Sequence, residues 1–157
     1  MRSPIRQIVI FFATGAGSGY APVAPGTAGS VVGLALGYFA LAPLWNRAPI
    51  VFVAGFAIAF AAACALAGSA ERIIGEHDSG KIVIDEIFGM VAAMFMNPLG
   101  ALWVGASFGL FRLFDILKPF PASLIDRRVR GGAGVMLDDL AAGIYANLVL
   151  QVAHRLL

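Results

Sequence analysis

Five long apolar runs occupy most of the chain, at residues 30–45, 49–67, 82–96, 99–114 and 137–157. A helix that crosses a bilayer needs about 20 predominantly apolar residues, within a range of about 17–25. The runs reach that range or lie at its short end. The expected fold is therefore all-α, a polytopic membrane helix bundle of about five helices. Composition points the same way: 60% of the 157 residues are hydrophobic and only 13% are charged, where a soluble domain averages about 45–50% and about 25%. The length is that of one domain, so residues 1–157 are read as a single integral membrane domain. Asn46, Arg47, Ala48 and Pro49 separate the first two runs, and Asn97-Pro98 the third and fourth; Asn and Pro in such clusters interrupt helices. Two longer polar connections remain, residues 68–81 and 118–136. Ahead of the first run, Arg2 and Arg6 precede a short apolar stretch, and residues 4–14 are expected to form a short N-terminal interfacial or re-entrant helix.

Against this background the acids stand out. Asp85 and Glu86 lie inside the third run, Asp115 closes the fourth, and Asp138 and Asp139 open the last. Ionisable groups are costly in membrane segments, and they mark functional sites by default. Clustered carboxylates are hard oxygen ligands for Mg²⁺ or Ca²⁺. Lys and Arg set the orientation. Arg2, Arg6, Arg72, Lys81, Lys118, Arg127, Arg128 and Arg130 fall on one side, and Arg47 and Arg155 on the other. The positive-inside rule places the N-terminus and both long connections in the cytoplasm. All five acids then share one layer near the cytoplasmic interface, delivered by three separate helices. Helix capping by anions suits Asp85, Asp138 and Asp139 but not Asp115, which ends its helix.

Basic and small residues surround these acids in sequence. Arg112 lies three positions before Asp115, on the same helix face, where it can pair with the acid and grip a phosphate bidentately. Lys118 sits about one turn beyond Asp115, before the helix-stopping Pro119. The glycine-rich stretch of residues 15–30 precedes a helix, an arrangement that offers backbone N–H groups to an anion, with Thr27 or Ser30 as the natural N-cap. It carries no Walker lysine. Residues 131–134 (GGAG) form a second stretch that permits close backbone approach. Gly29, Gly33 and Gly37, and likewise Gly105 and Gly109, recur at four-residue spacing that suits helix contact in lipid.

Other function classes find little support. The net charge is +2 and no basic stripe with interleaved aromatics is present, so no nucleic-acid partner is expected. Cys64 is the one cysteine; it reads as a small buried hydrophobe. His154 lies sixteen positions beyond Asp138, about 24 Å along a helix, too far to join the acids, and His77 reads as solvent-exposed. A triad-type nucleophile is therefore not expected.

Four strings carry a resemblance to a known family. They are GSGYAPVAPGTAGS at residues 17–30, IVIDEIFG at 82–89 with Asp78 ahead of it, FRLFDILKPFP at 111–121, and GGAGVMLDDLAAG at 131–143 with Asp126 ahead of it. In this order, over nearly the whole chain, they closely resemble phosphatidylglycerophosphatase A. The resemblance implies a Mg²⁺-dependent phosphatase of the bacterial inner membrane that converts phosphatidylglycerophosphate to phosphatidylglycerol and phosphate. The partners it implies are a membrane phospholipid substrate and the lipid bilayer. The family's acidic positions carry over to Asp78, Asp85, Glu86, Asp115, Asp138 and Asp139, and its basic and loop positions to Arg112, Lys118, Thr27 and Ser30. The chemistry of these residue types then suggests the six acids as metal ligands, all but Asp78 as catalytic groups, and Thr27, Ser30, Arg112 and Lys118 as substrate-binding. From the residues alone the principal rival is a small ion- or proton-coupled transporter, in which buried acids relay charge.

Overall fold

The computed structural model describes residues 3–76 and 79–156, with the side chains of Asp126 and Arg127 excepted. Its helices are α1 (Pro4–Ala13), α2 (Pro25–Leu36), α3 (Ala42–Arg47), α4 (Pro49–Ile74), α5 (Ile84–Met94), α6 (Ala101–Leu117), α7 (Ala122–Arg128) and α8 (Gly132–Leu156). No strand occurs among the described residues. A single wide turn at Gly37–Leu41 joins α2 to α3, giving one helical rod over Pro25–Arg47.

Proline sets several of the starts. Pro4, Pro25 and Pro49 each open a helix, where the missing N–H costs nothing and the fixed φ already suits the helix. Glycine and a basic residue set two of the stops. Gly75 ends α4 at φ +80°, and Lys118 ends α6 at φ +43° just before Pro119. The polar connection expected over residues 68–81 is shorter than its composition suggests, because α4 runs on to Ile74. The one over 118–136 contains α7 and the first turn of α8.

Three helices are long and apolar enough to cross a membrane: Pro25–Arg47, Pro49–Ile74 and Gly132–Leu156. The expectation of about five is met to that extent. At 17 residues α6 falls just short of the length that marks these three, and α5, at 11 residues, rises only about 16 Å. α5 stops early because its last carbonyls are satisfied by side chains. Asn97 Nδ2 donates to Ala93 O at 2.9 Å, and Asn147 Nδ2 donates to Phe95 O at 2.7 Å. A helix end within an apolar environment is tolerated when protein groups take up its free backbone atoms.

α5 and α8 form the centre, with α2, α4 and α6 packed around them. Glycines set the approach. A Cβ on Gly29 would lie 2.7 Å from Val83 Cβ, and one on Gly33 2.7 Å from Ile87 O. One on Gly37 would lie 3.1 Å from Met94 Sδ. The four-residue stripe is thus the face that α2 lays along α5, and it fixes the two helices as parallel. α5 and α8 meet where Gly89 faces Gly143, and a side chain on either would strike the backbone of the other helix. Gly105 and Gly109 do not pack in this way: an added Cβ at either meets nothing within 4 Å. Their spacing is not a contact face, because that side of α6 is not covered by another helix. Gly132 abuts the backbone of Cys64 and Gly68, so the close approach permitted by GGAG joins α8 to α4. Far from the acids, Trp45, Phe52 and Phe95 form an aromatic cluster, with Phe52 and Phe95 stacked at 5.1 Å.

Candidate metal and phosphate site

The parallel run of α2, α5 and α8, with α6 antiparallel to them, carries the acids to one end of the bundle. Asp85 lies four residues before Gly89, and Asp139 four before Gly143. Each is therefore one turn from the closest approach of α5 and α8, on the same side of it. Oxygen atoms of Asp85, Glu86 and Asp139 all fall within 4.8 Å of one another. Asp85 and Asp139 are only 8% and 4% exposed. Asp85 Oδ1 also accepts a hydrogen bond from Glu86 N–H at 3.0 Å, inside the first turn of α5. Asp139 is different. α8 begins at Gly132, so Asp138 and Asp139 stand almost two turns inside the helix, and the first turn holds no acid. Helix capping therefore does not explain them.

The two remaining acids are braced by cations. Arg112 pairs with Asp115 across one turn of α6, and Lys118 with Asp138 across to α8. The i,i+3 pairing is the one expected from sequence. Asp115 also reaches the carboxylate of Asp139. Arg112 extends past Asp115 to Ser30 Oγ at 3.5 Å, while Ser30 Oγ donates to Gly26 O at 2.8 Å. Gly26 itself lies against Glu86 and Arg112, and any side chain there would collide with the Glu86 carboxylate.

The sequence-derived residues thus fall into groups. Asp85, Glu86 and Asp139 make the triad, Arg112–Asp115 and Lys118–Asp138 flank it, and Ser30 contacts Arg112. Thr27 lies half-buried in the first turn of α2. Neither Thr27 nor Ser30 is the N-cap that the sequence suggests: α2 starts at Pro25 with Ala24 as cap, in the left-handed region at φ +50°. Pro25 supplies the start, and Ser30 is left buried to bond back along its own helix. Asp78 lies outside the described residues, as do Arg2, His77 and the side chain of Arg127. His154 packs edge-on to Trp103 at 5.1 Å, away from the triad as expected. Sequence reasoning missed the part played by Gly26, Gly89 and Gly143 in letting these groups meet. A glycine bears no chemistry of its own, and its role depends on a neighbour the sequence does not reveal.

Five carboxylates gathered against two basic side chains form a strongly negative, largely buried cluster. Buried charges are tolerated when paired or when they coordinate a metal. Asp115 and Asp138 have ion-pair partners, whereas Glu86 Oε2 and Asp139 Oδ2 are buried without a hydrogen-bond partner. An all-oxygen donor set with unsatisfied atoms turned inward fits a hard divalent cation. What the fold and this site define is a helical membrane protein with a carboxylate cluster able to hold a metal ion, flanked by groups suited to phosphate.

Comparison with known proteins narrows the class. A family model described as Phosphatidylglycerophosphatase A matches residues 11–154. Phosphatidylglycerophosphatase A of Haemophilus influenzae is 38% identical, over 94% of this chain and 93% of that protein. Phosphatidylglycerophosphatase A of Escherichia coli is 36% identical, over 91% and 82%. A Bacteroides thetaiotaomicron protein, named provisionally as a phosphatidylinositol-3-phosphatase, is 39% identical over 92% of each chain. No solved structure matches. The chain belongs to the phosphatidylglycerophosphatase A family and is a phosphatase. Its apolar helices and its bacterial relatives fit a bacterial membrane protein.

Proposed function

We propose that this chain removes the terminal phosphate of phosphatidylglycerophosphate, yielding phosphatidylglycerol, the precursor of cardiolipin, and inorganic phosphate, with Mg²⁺ held by Asp85, Glu86 and Asp139. The observation that carries the reading is the meeting of these three carboxylates in a chain of this family. Mg²⁺ bound there would supply positive charge against the phosphoryl oxygens and would acidify a water. Asp85 and Asp139, from two helices locked by the Gly89–Gly143 contact, would hold the ion. Glu86, through the carboxylate oxygen not turned to the ion, would take the proton of the attacking water as it adds to phosphorus. The phosphorus–oxygen bond to the glycerol breaks, and the leaving alkoxide takes up the proton that Glu86 accepted, which restores the carboxylate. Arg112, held by Asp115 and Ser30, offsets charge on the phosphoryl oxygens, and Lys118 does so from the α8 side. Thr27, in the first turn of α2, contributes to holding the phosphate. Asp78 supplies a further carboxylate from the connection before α5.

The same reading places residues 1–157 in the inner membrane as one domain. α5 and α6 complete about five embedded helices, and the site faces the cytoplasm. The bias of Lys and Arg supports that orientation. Exposed Ile5, Ile8, Phe11 and Phe12 on α1 support an interfacial helix. Family membership weighs against the transporter reading.

The name of the Bacteroides relative makes the substrate panel explicit. Purified protein is assayed for phosphate release from phosphatidylglycerophosphate, phosphatidic acid and phosphatidylinositol 3-phosphate, with and without Mg²⁺. Fastest turnover of phosphatidylglycerophosphate, lost on chelation, is expected. Faster turnover of phosphatidylinositol 3-phosphate would overturn the substrate assignment.

A further inference from the structure

A cavity of about 520 Å³ lies between α1, the end of α4 and the segment leading into α5. Ligand sites commonly occupy about 300–1,000 Å³. It shares no lining residue with the carboxylate cluster. Two cations line it, Arg6 from α1 and Lys81 from the segment before α5, and no acid lines it among the described residues. Arg6 is anchored, since Nη2 donates to Ile73 O at 2.8 Å. Ile10, Phe11 and Ile74 add apolar side chains to the lining, and Tyr20 an aromatic one. The cavity sits on the side of the bundle where α5 begins, because Val83 N–H donates to Ala13 O at 2.9 Å. That is also the end carrying the acids. The exposed apolar residues of α1 beside it belong at a membrane surface. A concave space lined by two cations and by apolar side chains at that end of the bundle is complementary to a negatively charged headgroup whose chains continue into lipid.

We infer that this cavity is a second lipid site, which holds the phosphodiester headgroup of an anionic phospholipid between Arg6 and Lys81 without hydrolysing it. The occupant is an ordinary membrane diester, so the site is accessory to the triad and stands whether or not the proposed substrate is correct.

The test uses the full chain in neutral maltoside micelles doped with dioleoylphosphatidylserine, counting retained lipid by native mass spectrometry. Parallel arms contain dioleoylphosphatidylcholine or inorganic phosphate. One phosphatidylserine is expected to be retained in preference to phosphatidylcholine. Retention should weaken roughly fivefold in Arg6→Gln or Lys81→Gln and about thirtyfold in the double variant. It should persist in Lys81→Arg, and in Asp139→Asn, which alters only the acid cluster. Lys81 is exposed, so its variants report even if Arg6→Gln fails to fold. Equal retention by wild type and Lys81→Gln, equal retention of phosphatidylcholine, or displacement of the lipid by inorganic phosphate would overturn the proposal.

Discussion

Asp85, Glu86 and Asp139 bring three acidic groups within 4.8 Å of one another, an arrangement that repels itself until a cation enters. Asp85→Asn or Asp139→Asn should therefore lower phosphate release by roughly 10²–10³-fold, the scale on which a lost transition-state electrostatic partner is felt. In chelator, the same variants should melt no lower than wild type, because a buried like charge has gone. A drop in both activity and melting temperature would mean that the acid is structural. Asp115 has a different task. It holds Arg112 beside Ser30, so Asp115→Asn should cost about 10–100-fold in activity, as losses of supporting partners do, with Mg²⁺ affinity much less affected than in Asp139→Asn. The i,i+3 relation made this pair legible in the sequence. The Lys118–Asp138 pair and the choice of Asp139 over Asp138 for the triad were not legible, because neighbours on a helix differ by about 100° and only the packing of α8 decides which one faces α5.

At the scale of elements, the crossing of α5 and α8 places the site. Gly143→Val would drive a side chain into the Gly89 backbone, and overpacking of this kind costs about 1–3 kcal/mol or more. Thermal unfolding in detergent should show a clear fall, accompanied by lost activity as Asp85 and Asp139 separate. Gly105→Ala is the control: its added Cβ meets open space, and a helix interior favours alanine over glycine by about 0.8–1.0 kcal/mol, so stability should hold or rise. Equal losses in the two variants would contradict the packing described. The runs of apolar sequence revealed that helices would form and broadly where they break. They did not reveal that α4 continues to Ile74 or that α5 is a half-length helix. Polar residues at a helix end look like a loop in sequence, and the capping of α5 depends on Asn147, more than fifty positions away.

For the whole molecule, the sequence anticipated that acids from three helices lie at one end of the bundle, and the antiparallel course of α6 against α5 and α8 brings this about. In the proposed function a cation between the triad and a phosphate joins them to a membrane lipid. The most direct measurement is phosphate release from phosphatidylglycerophosphate in proteoliposomes across a Mg²⁺ titration, for wild type and Asp139→Asn. Wild type should be inactive in chelator and saturate with Mg²⁺. Asp139→Asn should need far more Mg²⁺ and reach only a small fraction of the wild-type maximum. Chelator-resistant activity in wild type, or superimposable titrations of the two proteins, would contradict a metal centre built on these carboxylates.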